Sequence, residues 1–376
     1  MSADHAALLK DSVSDFVARG TDIARVRALR GTEREYDRAI WLQMGDLGWL
    51  GISVPERFGG LGLGLTETAI VAEGLARGLV PEPYTAAAVL AAGVLCGAEN
   101  EALQSEWLPR IVSGEIIPAL AWQERAGTLG LSQIQARAVP FEGGYRLNGT
   151  KRYVAGAAGA DLHIVAARTE TGLVLGCVEQ GAPGVTLELD VLADGRQFGT
   201  LNLDNAVVPR ERVVASGDTA RSALERALDH ATAIASAELY GVMGRALDMS
   251  VDYMKTRTQF GRPIGTFQAL QHRAVDLYIQ RELASAVLEQ GLRELDRSPP
   301  SHVRAAAASR IKARCSDAAL RITREAIQIH GAIGFTDEYD AGLYLKRALV
   351  LAAWLGNGAA HRRRYAALTL SNEDRT

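Results

Sequence analysis

The chain has 376 residues, enough to bury a large core and to form two or three domains. Its 41 basic and 44 acidic residues nearly balance, and the absence of a long basic run with interleaved aromatic residues argues against nucleic-acid binding. The three cysteines are widely spaced, lack metal-ligand spacing and suit a reducing compartment. No signal peptide is readable, and no apolar stretch reaches the ~20 residues of a bilayer-spanning helix, so we expect a cytoplasmic protein without membrane insertion.

The first third of the chain predicts a helical domain. Apolar residues recur at three- and four-residue spacing in residues 6–17 and 36–44, which is typical of amphipathic helices. Residues 49–62 contain a proline and repeated glycines and therefore predict a loop, after which helix resumes near Leu65.

The middle of the chain predicts an antiparallel β domain. Short β-branched runs recur between residues 118 and 214, and glycine-containing turns separate them. Asn148-Gly149 lies between two such runs, and Asn-Gly in this position is a strong hairpin signal.

The last part of the chain returns to helical periodicity. Long helices are predicted near residues 217–257, 267–293, 302–331 and 341–371. Because short connections join them, they favour a four-helix bundle. The predicted fold class is therefore mainly α with a central β domain.

Three segments carry a resemblance to a known family. Residues 257–268 read RTQFGRPIGTFQ, residues 328–335 read QIHGAIGF, and residues 49–62 read WLGISVPERFGGLG. In this order, with a β-type segment between helical ones, they resemble signatures of the acyl-CoA dehydrogenase family over nearly the full length of the chain.

The resemblance implies three domains: an N-terminal helical domain (residues 1–115), an antiparallel β domain (116–214) and a C-terminal helical bundle (215–376). It also implies FAD as the cofactor, an acyl-CoA thioester as the substrate of an α,β-desaturation, and an electron-transfer flavoprotein as the electron acceptor. In the family, each FAD lies across a subunit interface, so that its ring and its ADP end meet different chains.

The residues that match the ADP side of this site are intact. Carried over one by one, the resemblance assigns the FAD contacts to Arg257, Gln259, Phe260, Gln268, Gln328, Gly331 and Ala332. Arg257 matches the arginine that contacts the pyrophosphate, and a turn made of small residues suits a close approach of the backbone to the ligand. The alternative is that Arg257 and Gln328 are only polar groups on the surface of the bundle.

The residues that match the ring side are altered. The family's T-E-P-x-x-G-S segment here reads QERAGTL in residues 123–129, with Gln123 in place of the threonine, Arg125 in place of the proline and Leu129 in place of the serine. The family's Trp-x-Thr reads Tyr153-Val154-Ala155, so that a third hydroxyl is lost. A buried flavin that loses such partners is destabilised by roughly 1–3 kcal/mol per unsatisfied group.

The usual catalytic glutamate is missing. Its position in the family's Tyr-Glu-Gly-Thr segment is occupied by Leu355, which cannot accept a proton, and the following threonine is replaced by Asn357. Some family members carry the base on an earlier helix, but the matching position here is near Ala231. Glu238 lies seven residues further along the same face, about 10 Å away. A role for Glu238 in helix packing or at an interface is favoured over a role as the catalytic base.

Three hypotheses follow. The chain is a subunit of a heteromeric α2β2 acyl-CoA dehydrogenase and completes the FAD site of a homologous partner subunit that bears the catalytic glutamate. Alternatively, it is a self-sufficient homo-oligomeric flavoenzyme with a displaced base, or a flavin-free binding or structural member of the family. His330 and His361 are interpreted as structural or interfacial residues. The sequence does not identify the acyl group of the substrate.

Overall fold

The computed structural model describes residues 3–20, 23–32, 36–127 and 129–373. Thr128, within the altered ring-side segment, therefore lies outside the described residues. Across the described part of the chain, every helix is too short or too polar to cross a bilayer.

Helices dominate the two ends of the chain. The α-helices of the described residues are Ala3–Gly20 (α1), Ile23–Leu29 (α2), Arg38–Asp46 (α3), Leu65–Arg77 (α4), Ala92–Cys96 (α5), Glu101–Val112 (α6), Gly217–Thr256 (α7), Gln268–Asp296 (α8), Ser301–His330 (α9), Ala341–Ala353 (α10) and Gly358–Glu373 (α11). A buried π-helical stretch, Thr85–Ala91, leads directly into α5.

Strands fill the middle of the chain. They are Pro118–Ala121 (β1), Arg137–Phe141 (β2), Gly144–Ala155 (β3), Leu162–Arg168 (β4), Leu173–Glu179 (β5), Val185–Val191 (β6), Gln197–Pro209 (β7) and Val213–Ser216 (β8), with a separate small hairpin of Thr258–Gln259 (β9) and Arg262–Pro263 (β10). The predicted fold class, mainly α with a central β domain, is confirmed.

The large sheet is mixed rather than purely antiparallel. Its strand order is β6-β7-β3-β2-β4-β5-β8, with β1 beside β4. β1 runs parallel to β4, and β2 meets β4 in a single parallel pair, Arg137 with Arg168. All other pairings in this sheet are antiparallel, including the β2–β3 pair.

The chain divides into two compact units. The helical unit comprises Met1–Arg27, Ala69–Val80 and Thr232–Thr376, and the sheet unit comprises Ala28–Thr68 and Pro81–Ala231. The sheet unit has a core rich in alanine and valine, to which β1, β4, β5 and β7 contribute. The three-domain division with boundaries near residues 115 and 214 stays a prediction.

A buried histidine lies in the core of the sheet unit. His163 on β4 is fully buried, and its backbone partners Ala119 and Val178 both belong to that core. Neither ring nitrogen has a hydrogen-bond partner among the described residues. Because burial penalises the charged ring, the pKa of His163 is lowered to about 4.

Because His163 is buried in its neutral form, we predict that the protein loses stability in mild acid. The unfolded chain takes up a proton near pH 6.5, whereas the folded chain resists protonation until about pH 4, so stability is lost as the pH falls between these values. The difference between these two pKa values corresponds to about 3 kcal/mol in the free energy of unfolding. We expect His163→Leu to be more stable than the wild type, with a gap that widens from pH 7.5 to pH 5 in denaturant unfolding. The exposed His302→Leu serves as the control, and a gap that does not depend on pH would contradict the assignment.

Candidate functional site

The segment that follows α7 forms a tight hairpin. The backbone N–H of Arg257 donates to the carbonyl of Tyr253 at 2.8 Å, which continues the last helical turn. β9 and β10 then pair around Phe260 and Gly261, whose φ angles are 54° and 79°. Two consecutive positive φ angles are typical of a type I′ turn, whose twist matches a two-residue hairpin. The hairpin therefore projects directly from the end of α7.

The side chains of this hairpin face solvent. Arg257 is exposed, and its guanidinium has no hydrogen bond or ion pair with any described residue. Gln259 is also exposed and donates to the carbonyl of Thr258 at 2.8 Å. The ring of Phe260 is 92% exposed and lies edge-on to the ring of Phe267, with 6.1 Å between the centroids. The hairpin thus offers a free cation and a flat apolar surface, a combination suited to an anionic or aromatic ligand.

The end of α9 forms a second exposed turn. α9 ends at His330, and Gly331 follows with φ 65° and ψ −137°, a conformation that residues with a Cβ rarely adopt. A Cβ at Gly331 would meet no atom within 4 Å, so the turn leaves open space beside its backbone. Ala332 is exposed after it, and Gln328 is exposed before it, with a side chain that makes no hydrogen bond to the described residues.

These two segments follow the ends of α7 and α9, and these two helix ends lie next to each other. The rings of Tyr253, one turn before Arg257, and His330, next to Gly331, are 4.5 Å apart between centroids. Gln268, the remaining predicted ADP-side residue, is the exposed first residue of α8. The cofactor roles of these residues stay predictions, but their shared exposure and the proximity of the two helix ends agree with one common site.

The predicted helix over residues 341–371 is wrong in one respect, because it breaks at the position of the missing glutamate. α10 ends at Ala353, and Leu355 and Gly356 have φ angles of 58° and 95°. Left-handed residues cannot continue a right-handed helix, and the conformation destabilises Leu355 by roughly 1–2 kcal/mol. The side chain of Asn357 then accepts a hydrogen bond from the N–H of Ala360 at 2.9 Å and caps α11.

Two buried basic side chains hold the carbonyls around this break. The ammonium of Lys312 donates to the carbonyl of Leu351. His361 donates from Nε2 to the carbonyl of Leu355 at 2.8 Å, and its Nδ1 accepts from the hydroxyl of Ser309 at 3.2 Å. Lys312 thereby satisfies a carbonyl in the last turn of α10, and His361 satisfies one in the break between α10 and α11. Because both ring nitrogens of His361 are engaged, neither is available to abstract a proton.

Burial sets the charge of these two groups. It lowers the pKa of Lys312 to about 7, which the carboxylate of Glu238 partly opposes. It lowers the pKa of His361 to about 3, so this ring is neutral near pH 7.

The alternative base, Glu238, is bound in a buried ion pair. Its Oε2 accepts from Nη2 of Arg347 at 2.6 Å, and both side chains are almost fully buried. Ala231, the other family position for a base, is completely buried.

The ring-side segment is anchored by another buried ion pair, which sequence reasoning missed. Lys151 on β3 is fully buried, and its ammonium lies 2.5 Å from Glu124. Glu124 also accepts from the backbone N–H groups of Gln135 and Ala136, at 2.8 and 2.9 Å. Burial lowers the pKa of Lys151 to about 8, and Glu124 opposes the shift. The signal in the sequence was a charged lysine within a stretch of predicted β-structure.

Near this pair, β3 carries an irregularity at Tyr153. The register between β3 and β7 shifts between Lys151 and Val154, and Tyr153 has a φ of 59°. Bulges of this kind re-aim side chains and are frequent beside functional sites. The altered residue Gln123 accepts from the N–H of Arg152 at 2.8 Å through its carbonyl and donates from its side chain to the carbonyl of Arg125 at 2.9 Å. One of the two amide N–H donors of the Gln123 side chain is therefore already used within the chain.

An apolar stripe also lies on the surface of α8, and sequence reasoning did not identify it. Its members recur at three- and four-residue spacing and are each 45–56% exposed: Val275, Tyr278, Ile279 and Leu283. Exposed apolar patches on helices mark contacts with other proteins. We refer to these four residues as the α8 stripe.

Comparisons with known proteins agree with the geometry. Residues 3–115 match the family model of the acyl-CoA dehydrogenase N-terminal domain, and residues 220–369 match that of the C-terminal domain. The chain is 30% identical to a mitochondrial isovaleryl-CoA dehydrogenase of Solanum tuberosum, over 94% of this chain and 87% of that protein. It is 31% identical to acyl-CoA dehydrogenase FadE27 of Mycobacterium tuberculosis, over 90% of each. Its fold is similar to a chain of the ChsE4-ChsE5 complex from Mycobacterium tuberculosis, with a TM-score of 0.86 and 29% identity over 98% of this chain and 97% of that chain.

Proposed function

The chain belongs to the acyl-CoA dehydrogenase family, and from this premise we propose that it is a subunit that completes the FAD site of a glutamate-bearing partner. The assembly would desaturate an acyl-CoA thioester between its α and β carbons, with an electron-transfer flavoprotein as the electron acceptor. The left-handed, buried Leu355 at the position of the usual base carries this proposal.

Family membership supports FAD as the cofactor, and the exposed residues of the helical unit fit its ADP end. The unpaired guanidinium of Arg257 would bind the pyrophosphate, since an arginine makes charge-assisted bonds to phosphate oxygens. The open space beside Gly331 would admit the ligand close to the backbone. Phe260 would offer its ring as an apolar surface. When bound, FAD supplies the acceptor for the hydride that leaves the acyl chain.

The chain's own residues do not supply a proton acceptor at the expected positions. Leu355 has no acidic group, Glu238 is held by Arg347, and both nitrogens of His361 are engaged. We therefore assign abstraction of the α-proton to the partner subunit.

The α8 stripe supports a protein partner. Four half-exposed apolar residues on one helix face form a surface that another subunit would cover. One protein of similar fold and 29% identity to this chain belongs to a complex of two named proteins, ChsE4 and ChsE5. Both observations favour a homologous subunit as the partner.

Flavin stoichiometry tests this function directly. The chain is co-expressed with a glutamate-bearing homologue, the complex is purified, and FAD is measured by absorbance against the total of each chain. We expect two FADs in an α2β2 assembly. One FAD per chain would overturn the half-site proposal in favour of a self-sufficient flavoenzyme. A complex that never holds flavin would favour a binding or structural role.

Arg257→Ala is expected to weaken FAD binding to this complex by about 10- to 150-fold, since a charge-assisted contact to phosphate is worth about 1.5–3 kcal/mol. Titration of the flavin-free complex with FAD, followed by fluorescence, measures the change. Arg221→Ala is the matched control, because Arg221 is also exposed but lies in the first turns of α7, whereas Arg257 follows its last turn. Equal affinities of the two variants would rule out Arg257 as a cofactor ligand.

A further inference from the structure

A cluster of three aromatic rings joins the ends of α7 and α9. The ring of His330 packs against the rings of both Tyr253 and Tyr339, with 4.5 Å between centroids in each pair, and the two tyrosine rings are 6.3 Å apart. His330 is buried, and its Nδ1–H donates to the carbonyl of Ala326 at 2.7 Å. Its Nε2 then accepts from the hydroxyl of Tyr339 at 3.0 Å. The neutral ring of His330 therefore makes a hydrogen bond through each of its two nitrogens.

The loop that carries Tyr339 is itself held in place. Arg27 donates to the carbonyl of Asp337 at 2.8 Å and pairs with the carboxylate of Asp340 at 2.7 Å. These contacts fix the loop on both sides of Tyr339. The hydroxyl of Tyr339 can therefore act as a fixed partner for His330 rather than following its movements.

We infer that His330, held by Tyr253 and Tyr339, is a positioning residue that sets the spacing between Arg257 and the turn at Gly331. Tyr253 lies one helical turn before Arg257, and its carbonyl accepts the N–H of that residue. His330 directly precedes Gly331. Movement of the His330 ring would therefore shift one ligand-binding segment against the other. This inference rests on the proposed function, because it assumes that both segments bind the ADP end of FAD.

The test uses variants that remove single groups from the cluster. Tyr339→Phe keeps the ring and deletes the hydroxyl that orients His330, and His330→Phe keeps a ring and deletes both hydrogen bonds. Tyr344→Phe is the matched control, because this buried tyrosine of the same unit also donates one hydroxyl hydrogen bond, to the carbonyl of Arg77 at 2.7 Å. FAD affinity of the complex is measured by fluorescence titration, and melting of the flavin-free complex is measured in parallel.

We expect Tyr339→Phe to weaken FAD binding roughly three- to tenfold and His330→Phe about tenfold or more, whereas Tyr344→Phe changes it less than about twofold. The melting temperatures of Tyr339→Phe and Tyr344→Phe should fall by similar amounts. A purely structural role of the cluster would instead give both tyrosine variants the same FAD affinity, which would overturn the inference.

A double variant separates this inference from the proposed function. If the cluster acts by placing Arg257, Tyr339→Phe should have little further effect on FAD affinity once Arg257 is alanine. Additive losses would show that the cluster does not act through Arg257 and would overturn the inference while leaving the proposed function intact. An Arg257→Ala variant with unchanged affinity would instead count against the proposed function itself.

Discussion

The purified chain alone, supplied with FAD, is expected to oxidise acyl-CoA about 10²–10⁴-fold more slowly than a glutamate-bearing homologue, the range that a general base contributes. Leu355 occupies the position of that base and cannot take a proton. The backbone around it is fixed by the bond from His361 to the carbonyl of Leu355, so another side chain is not brought in by a simple shift of this segment.

Anaerobic reduction of FAD by a panel of acyl-CoA thioesters measures this prediction for the chain alone, for the partner alone and for the two together. The complex should react, which shows that the assay and the substrate are suitable. Leu355→Gln provides a matched variant with a polar but non-basic side chain, and its rate should stay as low as that of the wild-type chain. Robust turnover by the isolated chain that disappears in folded Glu238→Gln would identify Glu238 as a displaced base and contradict the proposal.

The order of helices and strands was predictable because it depends on local patterns. Apolar spacing located α7, α8 and α9 to within a few residues. The hairpin predicted at Asn148-Gly149 is wrong, because both residues lie inside the long strand β3, where its register with β7 shifts. The parallel pairing of β1 with β4 joins residues about forty positions apart, and periodicity contains no information on such a partner. The break at Leu355 was missed because leucine is a good helix former, and its left-handed backbone is imposed by its surroundings.

The candidate site was predictable only where its residues are specified by motif. The glycine turn at Gly331 agrees with the sequence, whereas the hairpin after Arg257 was not predicted, and the cofactor roles of both segments stay predictions. The buried partners were not predictable. Lys312 appears in a pattern that resembles a solvated helix face, and the carbonyl that it binds belongs to a helix 39 residues away. The partner of a buried charged group is set by the packing of the folded chain, and the spacing of residues in the sequence does not reveal it.

Glu238→Gln is expected to destabilise the chain by about 3–5 kcal/mol, the range found when one partner of a buried ion pair is removed. The loss arises because Arg347 then remains buried without the carboxylate with which it forms its ion pair. Asp317→Asn is the matched control, since the ion pair of Asp317 with Arg362 is more than half exposed and such pairs contribute about 1 kcal/mol or less. Unfolding in urea, followed by circular dichroism, measures both variants.

The pH dependence of this loss distinguishes the ion pair from a simple packing defect. Glu238 also favours the charged form of Lys312, whose pKa burial lowers to about 7. Below pH 7 the wild-type carboxylate faces two buried cations, whereas above pH 7 Lys312 becomes neutral and only Arg347 needs compensation. The cost of Glu238→Gln should therefore be larger at pH 6.5 than at pH 9. Adding Arg347→Met should recover most of the stability at pH 9, because it removes the cation that lost its carboxylate, and less of it at pH 6.5, where Lys312 still lacks Glu238. A cost that is equal at both pH values, and that Arg347→Met does not relieve, would mean that Glu238 contributes through shape alone, and its carboxylate would again be a candidate for proton transfer.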